Sequence, residues 1–432
     1  MKIAITGTRG VPNHYGGFEQ FAEHLSEYLV RDGHEVTVYN SHTHPYQGAE
    51  WKGVKIRHCH DPEDKFGTIG QFFYDLSCIL DCRRRDYDII LQLGYTSNSV
   101  WGFLLPKRSV IITNMDGMEW KRSKYKPIVQ KFLRWAEKLA VKTSDFLISD
   151  SIGIQDYLLQ KYKVRSQYIP YGASLFENPD IEVLQQYGVE KYGYDMLIAR
   201  LEPENNIETI LEGVTSAAGC SRTFLVIGNH NTAYGAYLKE KFGHHEQVRF
   251  IGGIYDMHKL NNLRYFSNIY FHGHSVGGTN PSLLEAMSSN TYICANKNIF
   301  NFSILGNDAT YFSNAAEVRQ MVETMEKTSE EARFKIFNNH RKIRTTYSWD
   351  DINGQYIRFM IDAYKEKNFA QKGVEVFSPR TFPSFGRLRK NAQPSEERLR
   401  ELEEENARLK SMYADLSLIH NTYKEAVTRS MS

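Results

Sequence analysis

The segment Lys2–Glu19 reads KIAITGTRGVPNHYGGFE and sets the fold class of the chain. Its first five residues form a β-branched run typical of a buried strand. Four glycines follow within eleven residues, and Gly17–Arg31 then carries apolar side chains at helical spacing. Strand, glycine-rich turn and helix in this order predict the first unit of a parallel α/β sheet. Backbone N–H groups at Gly16 and Gly17 could contact a phosphate or sugar, although a tight turn alone is the alternative.

The same alternation of strands and helices continues and then restarts after 168–173. Residues 1–172 and 173–346 are therefore predicted to form two Rossmann-like, doubly wound α/β domains that face a central cleft. A helix over 347–366 is expected to cross back to the first domain. Ligands of such sheets bind at the carboxyl ends of the strands, so the cleft is the predicted site.

The last 66 residues differ from the rest in composition. Residues 367–394 combine prolines with arginines and lysines, which predicts a basic linker. Residues 395–428 carry leucine at heptad d positions and Asn406 at an a position, a pattern that favours a parallel coiled-coil homodimer. Antiparallel packing and one solvated helix are the alternatives. The segment ENARLKSMYADLSL resembles the leucine zipper of a transposase-associated protein, and the resemblance covers about thirty residues.

The overall composition of the chain argues against several classes of protein. The chain has 432 residues, is 41% apolar and has a formal net charge of +2, which excludes wholesale disorder and argues against a nucleic-acid-coating protein. Its five cysteines have no disulfide or zinc spacing, and the amino terminus lacks a signal-peptide pattern, so a cytoplasmic location is expected. A zipper-dimerised scaffold or DNA-binding protein is the alternative, but Pro383, Gly386 and Pro394 interrupt the basic helix that a DNA reader would need.

Two segments of the second half carry candidate ligand-binding residues. In ARLEPENN (199–206), Arg200 is expected to enter the cleft and clamp a diphosphate, with pairing to a neighbouring glutamate as the alternative. In FHGHSVGGTNPSLLEAM (271–287), Thr279 or Asn280 could cap a helix and direct its N–H groups at an anion. Glu285 could accept sugar hydroxyls, Gly277 and Gly278 allow close approach of a ligand, and His274 could bind substrate or simply pack.

The first half carries further candidate residues. Asp116, in MDGMEW (115–120), follows a predicted strand and is a candidate carboxylate of the cleft, with helix capping as an equal alternative. Arg9, Glu19 and Glu119 are candidates on the same side of the cleft. Lys131, Arg134 and Lys138 lie on one side of a basic amphipathic helix, opposite Ile128, Phe132, Trp135 and Leu139. That helix could bind anionic lipid or could be a core helix with a solvated face.

The order YGGFE, NMDGMEW, ARLEPENN and GGTNPSLLEAM resembles the retaining GT-B-fold glycosyltransferases of family four, over residues 1–365. More narrowly, it is similar to a bacterial rhamnosyltransferase-type branch. The resemblance implies a nucleotide sugar in the second domain, Arg200 at its pyrophosphate, Glu285 at its ribose, and no cofactor or metal. It also implies an acceptor side in the first domain, where we expect Arg9, Glu19 and Glu119, and where Asp116 would contact the reacting sugar or the acceptor hydroxyl. Two positions depart from the family pattern: Gly277 replaces a sugar-binding glutamate, and Asn205 replaces a diphosphate-binding lysine.

The expected function is transfer of a deoxyhexose, with dTDP-L-rhamnose as the expected donor, to a polyprenyl-diphosphate-linked saccharide in surface-polysaccharide biosynthesis. The protein would then be a peripheral protein of the inner face of the cytoplasmic membrane. A hexosyltransferase that uses a UDP- or GDP-sugar is the alternative within the enzyme class, and a sugar-nucleotide epimerase is a weaker third. The Asp86–Asp88 carboxylates resemble a metal-binding DxD, but they precede a buried strand and are interpreted as structural.

Overall fold

The protein is described by a computed structural model that covers residues 1–122, 125–217, 219 and 222–371. The predicted linker and coiled coil from residue 372 onward lie outside these described residues, as do the zipper resemblance and the predicted dimer. Within the described residues, no helix is both long and apolar enough to cross a bilayer.

The first half forms an eight-stranded sheet in the order β3-β4-β2-β1-β5-β6-β7-β8. All neighbours pair in parallel except β3 and β4. The strands are β1 (Lys2–Thr6), β2 (Glu35–Ser41), β3 (Glu50–Trp51), β4 (Val54–Cys59), β5 (Ile89–Leu93), β6 (Val110–Asn114), β7 (Phe146–Ser149) and β8 (Gln167–Tyr168).

The longer helices of this half pack against the sheet because each buries apolar side chains on one side. In the first helix, Phe21, Ala22, Leu25 and Leu29 are buried at the predicted helical spacing. The helices are α1 (Gly17–Arg31), α2 (Glu63–Phe66), α3 (Gly70–Arg83), α4 (Pro127–Thr143) and α5 (Ile152–Tyr162).

The second half forms a separate six-stranded parallel sheet in the order β11-β10-β9-β12-β13-β14. Its strands are β9 (Tyr194–Ile198), β10 (Thr223–Ile227), β11 (Val248–Gly252), β12 (Tyr270–His272), β13 (Ile293–Asn296) and β14 (Thr310–Phe312). Its helices are α6 (Ile207–Ser216), α7 (Ala233–Phe242), α8 (Met257–Phe266), α9 (Pro281–Ser288), α10 (Ile299–Leu305), α11 (Ala315–Thr324) and α12 (Glu330–Thr345). The predicted fold class, two doubly wound α/β domains, is confirmed for the described residues.

The final described helix, α13 (Trp349–Gln371), packs against the first domain. Tyr356 on this helix accepts a 2.9 Å hydrogen bond at its hydroxyl from Asn114, at the end of β6. Its ring also lies 4.7 Å from that of Phe21, between ring centroids. The chain therefore returns from the second domain to the carboxyl edge of the first sheet, close to the cleft.

Candidate functional site

A cleft of about 710 Å³ lies between the two sheets, at the carboxyl ends of their strands. Residues from both domains line it, and the two sides approach each other closely. A Cβ added at Gly17 would lie 3.5 Å from Cγ of Pro281. Among the predicted site residues, those that line this cleft are Gly16, Gly17, Asp116, Arg200, Asn205, His274, Gly277, Gly278, Thr279, Asn280 and Glu285.

The remaining predicted residues of the glycine-rich loop stabilise the loop itself and do not line the cleft. Glu19 is 5% exposed, and its carboxylate accepts hydrogen bonds from the Thr8 hydroxyl and the Arg9 backbone N–H, at 3.1 and 2.8 Å. The Arg9 guanidinium pairs with Glu63 at 2.8 Å and lies 3.9 Å from the centre of the Tyr15 ring. These contacts hold Gly16 and Gly17 at the rim of the cleft.

Arg200 follows β9 and is exposed in the cleft. Arg200 takes part in none of the ion pairs among the described residues. The alternative, in which Arg200 pairs with a neighbouring glutamate, is therefore not observed among these residues. Asn205 is buried, and its side-chain amide donates a 2.7 Å hydrogen bond to the Arg200 carbonyl. Asn205 therefore fixes the turn that presents Arg200 and leaves the guanidinium available to an anionic ligand.

The loop before α9 brings its backbone close to the first domain. Asn280 caps the helix, as predicted, by accepting a 2.9 Å hydrogen bond from the Ser282 N–H. Gly277 has φ of +133°, a backbone conformation that L side chains rarely adopt. A Cβ at Gly278 would lie 2.0 Å from the Asp150 carboxylate oxygens. Both glycines are therefore required by this loop, and the start of α9 directs positive partial charge into the cleft.

Arg264, on α8, lines the cleft and was not identified from the sequence. Its side chain is 1% exposed, and it bonds Glu285 at 2.7 Å, Ser282 at 3.0 Å and Asn261 at 2.9 Å. Nε of Arg264 has no hydrogen-bond partner among the described residues. Arg264 therefore orients Glu285. The two residues lie on different helices, so their pairing becomes visible only in the folded structure, where α8 packs against α9.

Two acidic groups, Glu119 and Asp150, and two arginines, Arg122 and Arg200, surround the catalytic candidate Asp116. Burial, followed by the nearby Glu119 carboxylate, raises the pKa of Asp116 to about 6. Glu119 pairs with Arg122 at 2.6 Å. Burial, followed by the charge of Asp116, raises the pKa of Asp150 well above its ordinary value. Arg122 lines the cleft, and neither it nor Asp150 was identified from the sequence.

His274 lies in the cleft and stacks on His272, with 4.4 Å between ring centroids. Burial, followed by the positive charges of Arg200 and Arg122, lowers the pKa of His274 to about 3. Burial likewise places the pKa of His272 well below its ordinary value. The two rings are therefore neutral near pH 7, and His274 can exchange hydrogen bonds with a ligand without adding charge.

Lys131, Arg134 and Lys138 are exposed on α4 and do not line the cleft. The core-facing side of this helix consists of Leu133, Ala136, Glu137 and Ala140. The predicted apolar side is only partly covered, because Ile128 is 75% and Trp135 48% exposed. The outer surface of α4 is consequently both basic and apolar. The spacing of residues in the sequence did not show that apolar side chains remain exposed beside the basic ones.

No cluster of three or more metal-binding side chains occurs in the part of the chain that the structure describes. The DxD carboxylates have separate structural contacts. Asp86 lies 3.7 Å from Arg108, and Asp88 accepts a 2.7 Å hydrogen bond from the Lys2 N–H.

Comparison with known proteins shows which fold the chain has. Residues 1–174 match a family model described as a domain of unknown function, DUF1972. No curated protein sequence matches the chain. Among solved structures, it is similar to sucrose-phosphate synthase from Thermosynechococcus elongatus (16% identity, TM-score 0.68), covering 84% of this chain and 99% of that one.

Two further solved structures are also similar to most of the chain. Anabaena HepE, solved in complex with UDP and glucose, has 16% identity and a TM-score of 0.66, covering 84% of this chain and 100% of that one. WaaG, a glycosyltransferase involved in lipopolysaccharide biosynthesis, has 13% identity and a TM-score of 0.62, covering 83% of this chain and 99% of that one. The described chain therefore has the GT-B glycosyltransferase fold.

Proposed function

We propose that the protein is a glycosyltransferase that binds a nucleotide sugar in the cleft between its two domains. The observation that carries the proposal is the convergence of Arg200, the capped start of α9 and the Arg264–Glu285 pair on one cavity of a GT-B fold. A guanidinium that forms no ion pair with the described residues and a helix N-terminus suit a diphosphate, and an oriented carboxylate suits ribose hydroxyls. HepE, which has the same fold, was solved with UDP-glucose.

In this proposal, each residue has a distinct role. Arg200 and the N–H groups of α9 neutralise charge as the bond between the sugar C1 and the diphosphate oxygen breaks. The acceptor hydroxyl forms the new bond to C1 on the same face, and its proton passes to the departing phosphate oxygen. Asp116 and the neutral His274 hold the sugar ring or the acceptor hydroxyl. The reaction retains the anomeric configuration and requires neither cofactor nor metal.

For the donor we propose a deoxyhexose nucleotide, with dTDP-L-rhamnose first. Gly277 and Asn205 stand where the resembled family has a glutamate and a lysine, so a sugar with fewer polar contacts fits better. The alternative is a hexosyltransferase that uses a UDP- or GDP-sugar, which the UDP-glucose complex of HepE favours.

For the acceptor we propose a polyprenyl-diphosphate-linked saccharide at an anionic membrane surface, which the protein meets through the outer face of α4. Lys131, Arg134 and Lys138 would contact lipid headgroups, and Ile128 and Trp135 would enter the interface. The protein would act at the inner face of the cytoplasmic membrane, with Arg9, Glu19 and Glu119 supporting the acceptor side of the cleft.

The proposed homodimer depends on the heptads at 395–428, which the structure does not describe. Removal of Ser395–Ser432 should produce monomers by light scattering if those heptads form the interface. A dimer that survives the deletion would place the interface elsewhere.

A thermal-shift panel of nucleotide sugars, with and without Mg²⁺, tests the donor proposal. We expect selective stabilisation by dTDP-L-rhamnose that does not change with Mg²⁺. Selective stabilisation by UDP-glucose or GDP-mannose would favour the hexosyltransferase, and no stabilisation by any nucleotide sugar would contradict the proposed function.

A further inference from the structure

Tyr15 presents an exposed aromatic ring on the first-domain wall of the cleft. The residue lies in the glycine-rich turn between β1 and α1, lines the cleft and is 64% exposed. The two residues before it, Asn13 and His14, also line the cleft and are exposed. Gln20, in the first turn of α1, lines the same wall. An aromatic ring therefore shares this wall with three side chains that can exchange hydrogen bonds with a ligand.

Contacts within the first domain hold the ring of Tyr15 in position. The Arg9 guanidinium lies 3.9 Å from the centre of the ring, and Glu63 holds that guanidinium through a 2.8 Å ion pair. The Tyr15 N–H donates a 3.1 Å hydrogen bond to Oδ1 of Asn13, whose own N–H donates to the Glu23 carboxylate. Because Arg9 covers one face of the ring, the exposed area of Tyr15 belongs mainly to the other face and the edge.

His14, which precedes Tyr15, is held from the same domain. Its ring packs edge-on against that of His44, with 4.3 Å between ring centroids. His44 is 3% exposed, and its Nε2 donates a 3.2 Å hydrogen bond to the Pro12 carbonyl, while its Nδ1 accepts one from the Tyr46 N–H at 3.0 Å. The turn that carries the exposed ring is therefore oriented before any ligand binds, which lowers the entropic cost of binding one.

This arrangement suits the recognition of a sugar ring. Single exposed aromatic side chains are common on protein surfaces and need no ligand to explain them. Tyr15 differs because its ring is held in one orientation at the wall of a cavity of about 710 Å³. The C–H face of a pyranose is apolar and stacks on an aromatic ring, and its hydroxyl groups exchange hydrogen bonds with amide and imidazole groups.

We propose that Tyr15 is a specificity-determining residue on which the terminal sugar of an acceptor saccharide stacks, with the polar side chains beside it bound to the sugar hydroxyls. The assignment to the acceptor rests on the proposed glycosyl transfer, because Arg200 and Glu285 would hold the donor from the second domain, whereas Tyr15 belongs to the first. The sugar site itself does not depend on that reaction, since a saccharide can bind there without a donor.

Saturation-transfer NMR with the methyl glycosides of glucose, galactose, N-acetylglucosamine and rhamnose tests the site without a donor. We expect the wild-type protein to bind at least one glycoside and Tyr15→Ala to bind it about fivefold or more weakly. Tyr15→Phe should bind it as wild type, because phenylalanine keeps the ring and removes only the hydroxyl. Tyr237→Ala, the matched control, removes a tyrosine of α7 that is 42% exposed and does not line the cleft, and it should also bind as wild type.

Three results of this experiment would overturn the proposal. The first is that the wild-type protein binds none of the glycosides. The second is that Tyr15→Ala binds them as well as wild type, and the third is that Tyr15→Phe binds them as weakly as Tyr15→Ala.

Thermal shifts with nucleotide sugars separate this site from the donor site. Tyr15→Ala should keep the stabilisation that the wild-type protein gains from its best nucleotide sugar, because the proposed donor contacts lie on the second domain. Loss of that stabilisation in Tyr15→Ala would place the nucleoside or the donor sugar on the ring and overturn the proposal. If no nucleotide sugar stabilises the wild-type protein, the proposed function is contradicted, whereas glycoside binding that depends on the Tyr15 ring would still support the sugar site.

Discussion

Arg264 Nη2 donates a 2.7 Å hydrogen bond to Glu285 Oε2 from a guanidinium that is 1% exposed. Burying a charge in this way is costly unless a partner compensates it, and Glu285, Ser282 and Asn261 together do so. The carboxylate that we expect at the donor ribose is therefore held by a cation behind it. This arrangement links the stability of α8 and α9 to the geometry of the cleft.

Replacement of Arg264 by methionine should affect stability and donor binding together. It leaves the partly buried Glu285 without its cation, and we expect a loss of about 2–4 kcal/mol in the free energy of unfolding. Nucleotide-sugar affinity should fall by about tenfold or more, because Glu285 is no longer oriented. Urea unfolding and titration calorimetry measure the two effects.

Arg319→Met is the matched control for this variant. Arg319 is half exposed and pairs with Glu323 along α11, so its removal should change stability by less than about 1 kcal/mol. If Arg264→Met and Arg319→Met behave alike, Arg264 does not organise the cleft.

Asp75 should make the stability of the protein depend on pH. Burial raises the pKa of its carboxyl group to about 7, whereas the unfolded chain ionises near pH 4. Between these values the folded state holds one more proton, so this residue lowers stability by up to about 1.4 kcal/mol for each unit of rising pH. The stability of Asp75→Asn should depend less on pH across that interval. Urea unfolding at a series of pH values measures this difference. Identical slopes for the two proteins would refute the prediction.

The outer face of α4 should bind anionic lipid through both charge and apolar area. Ile128→Ser combined with Trp135→Ser should weaken binding to phosphatidylglycerol-containing vesicles by about tenfold or more. Vesicle flotation measures the change, with pure phosphatidylcholine vesicles for comparison. Phe334→Ser combined with Phe337→Ser, which removes side chains 65% and 64% exposed on α12, should bind as wild type. Equal loss in both double variants would argue against a specific membrane face.

Local sequence patterns predicted the doubly wound fold because strands, glycine turns and amphipathic helices depend on neighbouring residues. The cap at Asn280 and the position of Arg200 at a strand end were also predictable, since both follow from a few adjacent residues. Asp150 and Thr279, by contrast, are 129 residues apart, and Arg264 and Glu285 lie on different helices. Such contacts form only when the elements pack, so a single sequence carries no local signal for them.

The α4 helix shows a different limit of sequence interpretation. Its spacing predicted one apolar side through Ile128, Phe132, Trp135 and Leu139, yet the buried side consists of Leu133, Ala136, Glu137 and Ala140. Periodicity does not distinguish a face that enters the core from one that remains exposed.

Release of nucleoside diphosphate from a nucleotide sugar, measured for wild type, Arg200→Ala and Arg344→Ala, tests the central claim most directly. Arg344 is exposed on α12 and does not line the cleft, so it controls for the loss of a surface cation. Arg200→Ala should reduce release by about a hundredfold or more, because the departing diphosphate loses its guanidinium, while Arg344→Ala should match wild type. Release by Arg200→Ala at the wild-type rate, or no release by the wild-type protein from any nucleotide sugar, would contradict a glycosyltransferase site in this cleft.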